Sequence, residues 1–140
     1  MDYTKYMALD VGDKRIGIAL TDYFKSMAFP FETYNRVSLQ KDIEYILKVA
    51  KDNNVELIVC GLPYNFDGSE SLQLNKTLKF IDELKSKTNL PVDSIDERFT
   101  TLSARRDLID ANVRRENRKK VIDKVAASYI LEYYLQKNKK

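Results

Sequence analysis

Three acidic residues, far apart along the chain, each stand where a folded sheet could present a carboxylate. Asp10 stands near the end of the short apolar run Lys5–Val11, two residues before Gly12. Inside a strand buried on both faces an unpaired carboxylate is expensive, but at the strand's end it is open to a ligand or a cation. Glu97 follows directly on the strand-like run Pro91–Asp96, where alternation puts Ile95 and Glu97 on one face and Asp96 on the other. Asp123 lies in a helical pattern whose core stripe reads Ile122, Val125, Ala126, Tyr129, Ile130 and Tyr133. At about 100° per residue it falls beside Ile130, at the stripe's border, so its carboxylate runs along the sheet surface. Each acid alone has an ordinary explanation: an Asp-x-Gly turn, an acid offsetting the dipole of a following helix, an early-turn helical acid. Together they could hold Mg²⁺ or Mn²⁺ through oxygen. Two such ions about 3.5–4 Å apart can activate water and stabilise the leaving oxygen of a phosphodiester.

The composition removes most competing chemistries. The chain of 140 residues has no histidine and one cysteine, Cys60. Ser-His-Asp and Cys-His nucleophile systems, HExxH zinc sites and zinc fingers are therefore excluded, and a single thiol cannot build a four-thiolate zinc site. An enzyme made of this chain must use carboxylates, lysines, hydroxyls or a hard metal held by oxygen. A lone cysteine gives no internal disulfide, and no apolar run approaches the ~20 residues of a membrane-spanning helix. With no basic-then-apolar leader at Met1–Gly12, a cytoplasmic location and no membrane partner are expected.

The net charge of +3 hides an asymmetry. Residues 1–96 carry 12 Lys and Arg against 15 Asp and Glu, whereas residues 97–140 carry 12 against 6. The basic residues concentrate in Arg114, Arg115, Arg118, Lys119 and Lys120, with Arg98, Arg105 and Arg106 shortly before. Such a run suits a polyanion, because neutralising phosphates releases counterions, although many basic runs are only solvated surface. Arg15, close to the Asp10 end, could meet a phosphate or pair with an acid.

The elements that must position these side chains follow from periodicity. Lys5–Val11 predicts a buried strand, Asp13-Lys14 a turn, and Arg15–Asp22 an antiparallel second strand. Phe24–Arg36, which contains Pro30, predicts an edge strand. Leu39–Asn54 predicts a helix, Val55–Cys60 a buried strand stopped by Gly61-Leu62-Pro63, and Tyr64–Ser69 a loop. Ser71–Lys87 predicts a helix with Leu74, Leu78, Ile81 and Leu84 on one face, and Pro91–Asp96 a strand. Thr100 and Thr101 cap a helix to about Ala111, and residues 119–136 form the last helix. The expected fold is one α/β domain over residues 1–140, with a five-stranded mixed sheet (three antiparallel strands, then two parallel) and helices on both faces. Gly12 and Gly17 keep room over the sheet for a backbone or a metal. Pro63 and Asn65 shape the loop beside a strand end, where ligands of open sheets tend to bind. Cys60 reads as an inert core thiol.

Four segments, in order over nearly the whole chain, resemble the motifs of the YqgF family, also called RuvX. They are Leu9–Ala19, Gly61–Ser69, Asp96–Thr101, and Asp123–Ala127 with Ile130-Leu131. The resemblance implies an RNase H-like fold related to Holliday junction resolvases of the RuvC type. It implies a bacterial nuclease proposed to mature the 5′ end of 16S rRNA, with Asp10, Glu97 and Asp123 as catalytic, metal-binding acids. Structured RNA, branched DNA and ribosomal precursor particles are the partners it suggests. On that fold's usual strand order Glu97 stands two strands from Asp10, about 9–10 Å in the pairing direction. Two other classes stay open at this point: a nucleic-acid-binding module with weak catalysis, and an actin-like or sugar-kinase-like phosphotransferase. The last normally needs two such domains.

Overall fold

The computed structural model describes residues 3–64, 71–97 and 118–138. In chain order they form β1 (Lys5–Val11), β2 (Arg15–Thr21), β3 (Ala28–Asn35), α1 (Leu39–Asp52), β4 (Val55–Leu62), α2 (Leu72–Lys87), β5 (Val92–Asp96) and α3 (Arg118–Lys137). The helix expected from Thr100 to Ala111 lies outside the described residues. The sheet order is β3-β2-β1-β4-β5. The pairs β1/β2 and β2/β3 are antiparallel, and β1/β4 and β4/β5 are parallel. This is the mixed sheet that three antiparallel strands followed by alternating helix and strand should give.

Alternation along β1 assigns the two faces. Met7, Leu9 and Val11 join Ile16, Ile18, Ile58 and Cys60 in a core covered by α1 and α2. Tyr6 and Ala8 join Ala19, Val59, Ile95, Ala127, Ile130 and Leu131 in a core covered by α3. Met7, Ala8 and Leu9 are fully buried, which explains a run without polar alternation. Asp10 continues the parity of Tyr6 and Ala8 and so faces the α3 side.

Local chemistry sets the element ends. The Ser38 hydroxyl accepts the Lys41 N–H and caps α1. Asn54, with a positive φ of 53°, turns the chain out of that helix, as asparagine can. Ser71 caps α2 by accepting the Leu74 N–H. Pro30 lies in the edge strand β3, where a missing N–H is tolerated.

Three expectations are corrected. The buried face of α2 is Leu74, Thr77, Phe80, Ile81 and Leu84, whereas Leu78 is exposed. Its direction is about 100° from the centre of that face. The buried centre of α3 is Ala126, Ala127, Ile130 and Leu131, with Val125, Tyr129 and Tyr133 at half-buried flanks, and the Ile122 side chain lies outside the described residues. Gly61 does not stop β4, because the parallel ladder runs on through Gly61↔Ile95 and Leu62↔Asp96. Among the described residues, no helix is long and apolar enough to cross a membrane.

Candidate active site

Asp10 stands between two glycines. Its antiparallel partner on β2 is Gly17. On the other side Leu9 pairs with Cys60, so the next residues along, Asp10 and Gly61, are level. Neither neighbouring strand therefore puts a Cβ beside the half-buried Asp10 on the α3 face.

Gly17 admits α3. A Cβ there would collide with the backbone carbonyl of Asp123. The glycine is thus required by close approach of a helix backbone, and the small Ala126 and Ala127 let the helix lie flat. The crossing sets Asp123 one strand from Asp10. The Asp123 carboxylate accepts the Arg15 Nε–H at 2.7 Å, with both side chains about a quarter exposed (26% and 22%). Of the two roles open to Arg15, the acid partner is the one seen.

Gly61 admits Glu97. A Cβ on Gly61 would lie 2.6 Å from Glu97 Oε1 and 3.0 Å from its Cγ. The Glu97 side chain thus lies back over β4, the strand separating it from Asp10. The glutamate reaches back over the intervening strand through a notch where the residue there has no side chain.

The turn after Asp10 is braced by residues that the sequence did not single out. The Gly12 N–H donates to the Arg15 carbonyl at 2.9 Å, and a Cβ on Gly12 would sit 2.9 Å from that oxygen. Gly12 therefore makes room for the close approach of the Arg15 backbone in a tight turn. Gln73 Nε2 donates to the Val11 carbonyl at 2.9 Å, and Arg36 Nη1 to the Gly12 carbonyl at 2.8 Å. Arg36 Nε donates to Asp42 Oδ2 at 2.8 Å. The Asp42 side chain, with 0% exposure, also accepts the Tyr34 hydroxyl and the Val37 N–H. Burial alone would raise the Asp42 pKa, but the Val37 N–H, Arg36 and Tyr34 together hold it below the usual carboxylate value. One signal could have found it: Asp42, Ile46 and Val49 follow i, i+4, i+7 spacing, which puts an acid inside the apolar stripe of α1.

Pro63 accepts the Ser71 hydroxyl through its carbonyl at 3.1 Å and so ties the end of β4 to the start of α2. Cys60 is fully buried, and burial pushes its thiol up to about 12, in keeping with an inert core residue. Asn65, Arg98, Thr100, Thr101, Arg114 and Arg115 lie outside the described residues. For Arg118, Lys119 and Lys120 the description stops at the backbone, which forms the first turn of α3.

Among the described residues no three His, Cys, Asp or Glu side chains are gathered tightly enough to hold a metal ion. Asp123 is turned to Arg15, while Glu97 leans over the Gly61 notch. The fit of a divalent cation rests on the donor set and the cradle. All three candidates are carboxylates, the ligands a hard cation prefers, and the glycines at 17 and 61 let the Asp123 backbone and the Glu97 side chain come close over the strands on either side of Asp10.

Comparison with known proteins gives the family and the fold. The family described as "RuvX: Holliday junction resolvase" matches residues 4–137. A protein of Endomicrobium trichonymphae named "Putative pre-16S rRNA nuclease" is 45% identical over 132 residues, covering 94% of each chain. One of the same name from Clostridioides difficile (strain 630) is 44% identical, covering 94% of this chain and 93% of the relative. Among solved structures, Thermus thermophilus RuvC in complex with a Holliday junction superposes with a TM-score of 0.60 at 10% identity, covering 96% of each chain. Fowlpox virus resolvase with junction DNA gives 0.58 at 12% identity, covering 98% of this chain and 100% of the other. At that identity the likeness gives the fold alone, and the fold is RNase H-like.

Proposed function

The chain belongs to the RuvX family, and from that premise we propose that it is a divalent-metal-dependent nuclease acting on structured RNA, a precursor of 16S rRNA foremost, during ribosome maturation. Family membership makes it a phosphodiester-hydrolysing nuclease; the metal, the substrate and the biological step are the proposal. The observation that carries it is the Glu97 carboxylate lying over Gly61, beside the strand position of Asp10.

Asp10, Glu97 and Asp123 would hold Mg²⁺ or Mn²⁺, which supplies an activated water and charge neutralisation at the leaving oxygen. Asp10 offers its carboxylate from a strand end fixed on both sides. Glu97 is aimed by the notch that Gly61 leaves. Arg15, once exchanged off Asp123, presents a guanidinium to a phosphate oxygen, a planar donor suited to that partner. The first turn of α3 adds Arg118, Lys119 and Lys120 to the positive end of a helix dipole, five residues or fewer before Asp123. By their charge in the sequence, Arg98, Arg114 and Arg115 would add to the grip on the phosphate backbone.

Purified protein should be given a precursor 16S rRNA fragment and a four-way DNA junction, each with Mn²⁺ or Mg²⁺. We expect the RNA to be cut, and Asp10→Asn, Glu97→Gln and Asp123→Asn to abolish cutting. Preferential cutting of the junction would move the substrate to branched DNA. Tight, salt-sensitive binding with no cutting of either would replace catalysis by a binding role.

A further inference from the structure

The turn that follows Asp10 is held by side chains that do none of the proposed chemistry. β1 leaves the sheet at Val11, whose pairing with Ile16 is the last of the hairpin. The next two carbonyls along the chain, those of Val11 and Gly12, each receive a side-chain donor, from Gln73 and Arg36 respectively. The Arg36 guanidinium has two engagements at once: Nε on Asp42 and Nη1 on Gly12, both at 2.8 Å. Its Cζ lies over the Phe80 ring, 5.4 Å from the centroid. Asp42 is in turn fixed by the Tyr34 hydroxyl at 3.0 Å and the Val37 N–H at 2.9 Å. A continuous chain of contacts therefore runs from the buried face of α1, through Asp42 and Arg36, to the backbone between Asp10 and Arg15.

We propose that Arg36, seated on Asp42, is a positioning residue for the nuclease reaction: it fixes the Gly12 carbonyl and, with Gln73 on the Val11 carbonyl, sets where Asp10 and Arg15 stand. Arginine suits the place because its rigid fork can meet a buried carboxylate and a carbonyl in one plane. A buried carboxylate inside a helix's apolar stripe is costly unless fully partnered, and here the partnering cation also reaches the catalytic turn. The proposal rests on the nuclease reading above.

The test compares Arg36→Met, Arg36→Lys and Gln73→Leu with the wild type, with Ile43→Val as control. Ile43 is buried on the same helix but is no part of the brace. The readouts are kcat and KM on the cleaved RNA, thermal unfolding, and amide exchange across Gly12–Arg15. Displacing a reacting group by about 1 Å can cost on the order of a hundredfold. R36M is therefore expected to lose about tenfold to a hundredfold in kcat with KM within about twofold, and to exchange faster at the turn. R36K, which returns a cation between the two acceptors, should recover part of both. Q73L should lower kcat in the same direction without loss of fold, so it decides the matter if R36M does not fold. I43V should lower the unfolding temperature and leave kcat unchanged. Wild-type kcat in the folded brace variants, wild-type exchange at the turn, or an equal kcat loss in I43V would overturn the proposal. A wild type that cuts neither RNA nor junction fails differently: it removes the nuclease reading, and with it the catalytic role given to Arg36.

Discussion

The carboxylate of Glu97 occupies space that any side chain on Gly61 would need, with Oε1 2.6 Å from where a Cβ would stand. Gly61, level with Asp10, thereby makes room over β4 for an acid that follows β5, a strand that does not touch β1. Gly61→Ala would push on Glu97 and on Ile130 Cδ1, also 2.6 Å away. Both are ends of flexible side chains, so the fold should survive at a cost of about 1–2 kcal/mol. Cleavage should fall by at least about tenfold, because the displaced group is one that works by position. Parallel activity and unfolding measurements check this: an unfolding temperature only a few degrees lower with most activity gone is the expected pair. Retained activity would separate Glu97 from the mechanism.

Arg15 and a divalent cation would compete for one carboxylate, that of Asp123. Arg15→Met should tighten Mn²⁺ binding several-fold, since a competing positive charge is gone. The same variant should cut more slowly, because the guanidinium is also the phosphate contact. Calorimetric Mn²⁺ titration alongside RNA cleavage reads both effects, and an unchanged Mn²⁺ affinity would mean that the ion does not share Asp123.

The basic run should show itself in salt dependence. Each phosphate contact contributes about 0.9 to the slope of log K against log salt on duplex nucleic acid, and about 0.7 on single strands. Alanine at Arg114, Arg115 or Lys119 should weaken RNA binding and flatten that slope by roughly one contact each. A slope that does not move would make the run solvated surface.

Much of this was legible in the sequence for definite reasons. The apolar stretch Tyr6–Leu9 within Lys5–Val11 marks a strand covered on both sides, and the sheet order confirms it as central. Strand parity put Glu97 on the face of Ile95, and Gly61 lines up with Ile95 in the ladder. What stayed hidden depends on contacts between residues of different elements. Nothing local tells that Gly61 is a passage for a glutamate instead of a strand terminator, because that requires the register of β4 against β5. Arg36 and Gln73 look like ordinary surface residues until the hairpin is folded beneath them. Asp42 alone carried a local signal, as an acid in an apolar stripe, and only its fully buried setting shows why it is tolerated.

Gly17 meets backbone, not the end of a side chain, and that changes the expected outcome. Gly17→Ala would drive its Cβ into the carbonyl of Asp123, so α3 itself must move. Overpacking of this kind costs about 3 kcal/mol or more. For a chain of this size that corresponds to roughly 10 °C in unfolding temperature. Thermal unfolding followed by circular dichroism should show that drop, together with loss of cleavage as Asp123 is carried away from Asp10. A variant as stable as the wild type would mean that α3 does not press on β2 at this point.

Asp42 should make the protein acid-sensitive in a way that one substitution isolates. Its folded pKa lies below the ordinary carboxylate value, so it contributes stability above that value and loses it as pH falls through the folded pKa. Asp42→Asn removes the charge at every pH and leaves Arg36, 21% exposed, without its anion. Breaking such a pair from one side costs about 3–5 kcal/mol when fully buried, and the partial exposure of Arg36 sets the expectation near about 3 kcal/mol at pH 7. Wild type and D42N should therefore differ by roughly 10 °C in unfolding temperature at neutral pH. The gap should narrow as pH drops below about 4, where the carboxylate begins to protonate in the unfolded state, and should be lost only as pH falls through the lower folded pKa. A gap that is constant with pH would show that the carboxylate's charge does not hold Arg36, and with it the turn beside Asp10.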